Sequence, residues 1–470
     1  MIFKCPSLRF HWLFIQLILF VSFCLFSVDA SDARSESTIA VGIVTNSTGA
    51  VISSSSGLTM IYASSRRHGS SRIAGSDKIE LKPSQKGIEI RLNGRSIPTS
   101  TGSIKFVPAR NSFVACNGRR YRGSLEVRLD SLGHLTCINT LPMEQYLYGV
   151  IASEMLISSP PEALRAQAVV ARTFAYTYMD KFTRDGFNLS ADTSCQVYGG
   201  YDTEDPRAIE AVDSTRGQVL MYGGNTISAV YTSVCGGHTE NNEDVWEGAP
   251  KSYLRGVKCG FCSDSVKYAW DLTIDVKDFV GRLSLKGVTL SSLSGLRPVS
   301  WSTNGRVKLV SISHDGSDIL ISANELRRII GYGDIKSTWF DIRVDNLTDN
   351  RYVPLSGTQK INRIREIFRK RRSIKPLSTG SSLASIKDIS SPSPEPRQNP
   401  ENFIRNIIRT SMSKKGEVLS SGASIKINGR GHGHGVGMCQ WGAANMARQG
   451  WDFKKILQHY YTGVDFRVLR

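Results

Sequence analysis

The chain predicts an α+β protein: a β-rich N-terminal module packed with a mixed helix and strand core that carries the chemistry, the core broken by a disordered insertion. Three observations support this. Residues 38–140 alternate apolar and polar side chains in short runs, such as Ile88-Glu89-Ile90-Arg91-Leu92 and Leu125-Glu126-Val127-Arg128-Leu129, between Gly, Asn and Ser turns. Residues 141–356 and 425–470 mix helical and strand periods. Between them, 357–424 carries Arg369-Lys370-Arg371-Arg372 and the tract Ser390-Ser391-Pro392-Ser393-Pro394-Glu395-Pro396, too polar to bury what ordering it would cost.

At the N-terminus, Lys4 and Arg9 precede an apolar run from Trp12 to Val28 and the small-residue pattern Val28-Asp29-Ala30. Residues 1–30 therefore read as a signal peptide or a signal anchor, the run being at the short limit of a membrane span. Either reading places the protein outside the cytoplasm, in the periplasm or on the outer face of the cytoplasmic membrane. The formal charge of +18 becomes +17 when Lys4, Arg9 and Asp29 leave together. A basic exported protein suits an anionic wall or membrane surface, and its compartment disfavours nucleic acid. Two of the nine cysteines lie in the leader, leaving Cys116, Cys137, Cys195, Cys235, Cys259, Cys262 and Cys439. Disulfides are the default outside the cytoplasm, and an odd number leaves at least one thiol over.

The segment LPMEQYLYGVIASEM predicts a helix over 142–155, opened by Pro142, with Met143, Leu147, Val150 and Ile151 on one stripe. The next place on that stripe is Glu154. Desolvation and the negative end of the helix dipole both raise a carboxyl pKa there, which suits a general acid; an ion pair or a solvated helix end is the structural alternative. Ser159-Pro160-Pro161-Glu162 reads as a capping box for a second helix, 160–180, whose stripe of Leu164, Ala168, Ala171 and Ala175 admits close neighbours. Arg165 and Arg172, seven residues apart, share one of its sides and face either solvent or a substrate groove.

Further on, Val219–Tyr222 and Ile227–Thr232 read as a hairpin across Gly223-Gly224-Asn225. Ser322-Ala323-Asn324-Glu325 is a second capping box, with Gly331 as the helix stop. Cys259-Gly-Phe-Cys262 has the spacing of half a zinc site, and Cys235 and His238 offer further ligands. Glycine at every second position of Gly429–Gly437 permits close backbone approach, while His432 and His434 in the same loop suit either a shared metal or hydrogen bonds. No Gly-Lys-Ser/Thr follows to make a phosphate cradle. Helices close the chain, one over Met438–Arg448 and one capped by Asp452 that carries Ile456, Leu457, Tyr460 and Tyr461.

The segments MEQYLYGVIASEM...PPEALRAQAVVARTFAY and GRGHGHGVGMCQWGAANMARQGWDFKKILQHYYTGV, with YTSVCGGHTENNEDVW, PKSYLRGV and ELRRIIGYGDIKSTWFDI between them, resemble the stage II sporulation protein D / amidase enhancer family. The resemblance spans most of 120–345 and 425–466. It implies an exported peptidoglycan lytic transglycosylase that cuts the MurNAc-GlcNAc bond and leaves 1,6-anhydro-MurNAc ends, in wall remodelling and at the division septum. The family's glutamate falls on Glu154. Arg165 and Arg172 match its basic positions, and Tyr198, His434 and Gln440 lie in its motifs as substrate-binding residues. Implied partners are glycan strands and a wall amidase or other divisome proteins. Some members carry a Cys/His zinc site just after the second helix, where this chain has only Cys195, so a zinc ion would draw on Cys195, Cys235, His238, Cys259 and Cys262. Two rivals to the transglycosylase stand: a non-enzymatic, peptidoglycan-binding enhancer of a separate amidase, and a zinc-dependent hydrolase.

Overall fold

The structure is a computed structural model and describes residues 37–63, 68–100, 102–290, 292–314, 316–345 and 423–469. The leader read at 1–30 lies outside these residues, as does the insertion read at 357–424 except for its last two positions. No helix among the described residues is long and apolar enough to cross a membrane.

The alternation over 38–140 forms two sheets. One has seven strands in the order Leu189–Ser190, Thr38–Ser47, Leu135–Pro142, Ser124–Leu129, Ile104–Pro108, Leu58–Ala63 and His68–Ile73; the other has six. In Ser124–Leu129 the period of two puts Leu125 and Val127 inside, paired with Asn139 and Cys137 of the neighbouring strand. The core beneath these sheets continues past residue 140. It takes in one side of helices α1 (Met143–Glu154) and α2 (Pro161–Thr177) and part of α3 (Pro206–Ser214). The two arms of the capping-box reading do not form: Pro160 is the N-cap of α2 with no side-chain bond, Ser159 is buried, and Glu162 instead binds Arg165 and accepts from the Phe453 N–H at 2.9 Å. Two prolines with preset backbone angles open this helix without a side-chain cap.

Helix α2 is buried on both sides. Leu164, Ala168, Ala171 and Ala175 face the first core, while Ala166, Val169 and Val170 face a second, built with residues 220–262 and with helices α7 (Gln440–Arg448) and α8 (Phe453–Tyr460). The small stripe read from the sequence is what allows this double packing. Between α3 and α7 lie α4 (Asn242–Val245), α5 (Val276–Ser284) and α6 (Ala323–Ile330). Ser322 caps α6 through the Glu325 N–H at 3.0 Å, and Gly331 ends it. Helix α7 starts two residues later than Met438, because Met438–Cys439 is a short strand; Asp452 caps α8 through the Lys455 N–H.

The expected hairpin is only half formed. Gln218–Tyr222 pairs with Asn225–Thr226 and, on its other edge, with Asp465–Val468. Tyr231–Thr232 leaves that sheet and runs parallel to Met438–Cys439, just after the glycine loop. A third core holds α5, α6 and two three-stranded sheets. In one of them Ser424–Arg430 lies between Ala269–Asp275 and Phe340–Asp345, with Ser424 paired to Asp345 and Lys426 bridged to Asp345 at 2.9 Å. Asp345 and Ser424 are therefore adjacent in one antiparallel pair. Ser424, read as the insertion's last residue, already belongs to the strand.

Candidate functional site

Glu154 is the last residue of α1, on the stripe that buries Met143, Leu147, Val150 and Ile151. The helix ends there because Met155 turns to an extended conformation. The carboxyl is half-buried: Oε1 accepts the Val197 N–H at 2.6 Å and the carboxyl also takes a bond from the Tyr231 hydroxyl. Burial raises its pKa above the ordinary 4.5, and the two hydrogen bonds, which favour the anion, offset part of that rise. Neither a cation nor a second carboxylate contributes to the shift. The ion pair considered for this residue does not form among the described residues. Around it stand Tyr146, whose hydroxyl donates to Gln196 Oε1 at 3.3 Å, and Gln196, whose amide donates to the Tyr231 hydroxyl at 3.2 Å. The result is one carboxyl in a rim of neutral donors.

The glycine loop explains how Tyr231 is held. Gly433 and Gly437 have φ of +105° and +72°, and a Cβ on either would come within 2.4 Å of Thr232 Oγ1 or 2.0 Å of the Val230 carbonyl oxygen. Only glycine lets this loop lie against the strand. His432 exchanges both backbone bonds with Val234, at 2.7 and 3.1 Å. His434 accepts the Val436 N–H on Nδ1 at 3.1 Å, bonds the Tyr231 backbone, and packs 4.9 Å from the half-exposed Trp246 ring. Burial, with Arg327 and Arg306 nearby, pushes its pKa down to about 3, so it is a neutral prop for the Tyr231 strand. Neither histidine belongs to a group of three or more candidate metal ligands among the described residues.

Gln440, the first residue of α7, donates to the Glu154 backbone carbonyl at 3.0 Å and to Gln167 Oε1 at 3.3 Å. It satisfies a helix-end carbonyl that would otherwise lack a partner and so positions the acid. Gln167 is fully buried on α2. At about 100° per residue it lies on the opposite side from Arg165 and Arg172, and that side is linked to the Glu154 carbonyl through Gln440.

The assignment of Arg172 is corrected accordingly. Arg172 is wholly buried and grips both Glu144 oxygens, at 2.9 and 2.5 Å, and the carbonyls of Gln218 and Val212. It is a strut joining α1, α2 and α3, too enclosed to reach a glycan. Arg165 is tied to Glu162 and to Ser214 Oγ at 3.1 Å. Tyr198 is buried too: its hydroxyl donates to Asn139 at 3.0 Å, and its ring packs on Tyr146 and Tyr121. Gln167, Tyr231, Gln196 and the Val197 N–H escape sequence reading. Gln167 has a signal, being a lone amide among alanines and valines.

The metal candidates regroup. Cys235, Cys259 and Cys262 converge with Cys439, their sulfurs all within 4.8 Å of one another. Neither Cys195 nor His238 joins them; His238 Nδ1 lies 2.7 Å from the Thr239 carbonyl. Cys195 belongs to no group of three or more candidate ligands among the described residues, so the Cys/His zinc site that the resemblance implies does not fit there. Cys116 and Cys137 form a separate buried pair with their thiols hydrogen-bonded.

Residues 131–222 match the family model described as Stage II sporulation protein. The chain is 28% identical over 351 residues to an uncharacterised protein of Brachyspira hyodysenteriae, covering 74% of this chain and 73% of that one. It is 31% identical over 381 residues to the amidase enhancer of Bacillus subtilis, covering 79% of this chain but 48% of the enhancer's length. Stage II sporulation protein D of the same organism is 25% identical over 341 residues, 69% of this chain and 74% of that one.

Proposed function

We propose, for a chain that belongs to the stage II sporulation protein D / amidase enhancer family, that it is an exported peptidoglycan lytic transglycosylase with Glu154 as its single catalytic carboxyl. The relatives' names, an amidase enhancer and a sporulation protein, support a role at the cell wall. The observation behind the finer reading is the Glu154 environment: a carboxyl kept towards its neutral form by burial, with no second carboxylate contributing to its shift. Hydrolysis by most glycosidases needs two carboxyl groups, whereas an intramolecular transfer needs one. The protonated acid gives its proton to the glycosidic oxygen after N-acetylmuramic acid, and the C1–O bond breaks with N-acetylglucosamine leaving. The resulting carboxylate then takes the proton of the muramic acid C6 hydroxyl as that oxygen bonds to C1. The 1,6-anhydro ring closes and Glu154 is again protonated.

The test is product analysis after digestion of purified glycan strands stripped of stem peptides. Anhydro ends in the mass spectrum are the expected result. Ordinary reducing ends would mean hydrolysis, and binding without any cleavage would favour an amidase enhancer, the reading that the Bacillus subtilis relative's name carries. The leader read at 1–30 puts the activity outside the cytoplasm, which fractionation of cells carrying the tagged full chain checks.

Tyr231→Phe supplies a pH test. The hydroxyl bond favours the ionised carboxyl, so its loss raises the Glu154 pKa further. An acid catalyst works while protonated, so activity falls as pH rises through that pKa. The falling limb should therefore move to higher pH in the variant. A limb that stays in place or moves down would separate Tyr231 from the acid.

A further inference from the structure

Four cysteines from three distant segments meet in the second core. Cys235 sits before a Gly-Gly turn, Cys259 and Cys262 form a two-residue-spaced knuckle, and Cys439 caps α7. All four are buried, and the Cys235 and Cys262 sulfurs are 3.6 Å apart. A disulfide needs about 2.05 Å between its sulfurs. A tetrahedron of sulfurs around zinc, with Zn–S of about 2.3 Å, has edges of about 3.8 Å. Two disulfides would require contact only within each pair, whereas here every sulfur is within 4.8 Å of the other three.

The surroundings also suit thiolates. Cys439 Sγ accepts the N–H groups of Cys235 at 3.3 Å and Gly442 at 3.4 Å, Cys262 accepts from Gly236, and the Tyr460 hydroxyl lies 3.2 Å from Cys259 Sγ. Such donors strengthen against a charged acceptor. Beside the cluster, Arg306 is 2% exposed and donates to the Cys235 carbonyl at 2.5 Å, while its Nε and Nη1 have no hydrogen-bond partner among the described residues. The nearby buried acid, Glu240, accepts from the neutral groups of Ser302, Asn304 and the Asn241 N–H and attracts this guanidinium. Four neutral thiols would add no charge to that attraction. Four thiolates and one divalent cation carry a net charge of −2, which adds to it.

We propose that Cys235, Cys259, Cys262 and Cys439 hold one zinc ion in a closed, structural four-sulfur site. Four thiols lose their protons to the medium as four Zn–S bonds form, with no change of oxidation state. The ion pins the Cys235 turn and the 259–262 knuckle to the start of α7, where the next residue, Gln440, holds the end of the Glu154 helix. It also keeps these thiols from oxidation in an exported protein. With all four positions filled by sulfur, no site is open for hydrolytic chemistry, so this zinc is distinct from that of a zinc-dependent hydrolase.

The test uses the full chain purified without reductant, with metal analysis by mass spectrometry and alkylation in denaturant plus chelator followed by peptide mapping. About one zinc per chain and alkylation at all four cysteines are expected. Disulfide-linked peptides among the four, a chain without metal, or iron in place of zinc would overturn the proposal. Cys262→Ser and Cys439→Ser should each lose most of the zinc, whereas Cys195→Ser should keep it; zinc lost with Cys195→Ser would also count against the site. If the serine variants at the cluster do not fold, the wild-type metal content and alkylation map decide by themselves. None of these readouts depends on glycan cleavage.

Discussion

Glu154→Gln is expected to lower the release of anhydro ends by roughly 10²–10⁴-fold, the usual contribution of a positioned acid–base group. The amide fills the same space and can still accept the Val197 N–H, so the rim around it should persist. Binding to glycan strands should be nearly unchanged, which separates loss of chemistry from loss of substrate. Cleavage equal to wild type would remove Glu154 from the mechanism. The same variant has a stability signature. The folded pKa of Glu154 is raised, so its contribution to stability is fully present below the ordinary carboxyl pKa and is lost as pH rises through the raised value. At neutral and alkaline pH the ionised carboxyl opposes folding. The substituted amide carries no such charge, so Glu154→Gln should be the more stable protein there, with the gap closing in acid. Denaturation midpoints across pH measure it, and a variant less stable than wild type at alkaline pH would refute a desolvated acid.

Removing one partner of the buried Arg172–Glu144 pair is expected to cost about 3–5 kcal/mol, because the other charge is left inside the fold without compensation. Arg172→Ala and Glu144→Ala should both show it as a large fall in the denaturant midpoint. The paired change Arg172→Met with Glu144→Leu should recover most of the loss, since well-packed apolar groups can replace a buried ion pair with little net effect. Full recovery is not expected: Glu144 also accepts the Gly217 N–H at 3.2 Å, and Arg172 serves two carbonyls. If Arg172 instead gripped substrate, Arg172→Ala would keep wild-type stability and weaken glycan binding. That outcome would reverse its assignment as a strut.

The helix periods are legible because each depends on neighbours three or four residues away. Met143, Leu147, Val150 and Ile151 mark the buried face of α1 and so draw attention to Glu154. Likewise Ser322 and Asp452 announce their helices through local bonds to the backbone, and the strand alternation of 124–129 sets which side chains turn inward. The arginines mislead for a related reason. Their common side of α2 follows from the period, but the period says nothing about what that side meets. It meets Glu144 and Glu162, while Gln167 on the other side is linked to the Glu154 carbonyl through Gln440.

By itself the sequence determined the α+β class, most of the helices, the β-rich module and the placing of an acid at the end of an apolar stripe. Only the tertiary structure decided what surrounds that acid and which cysteines converge. Gln440 reaches Glu154 across 286 residues of chain, and Cys439 lies 204 residues from the Cys235 N–H that bonds it. Such contacts arise from how separate elements pack around shared cores, and local periodicity carries no information about distances set by that packing.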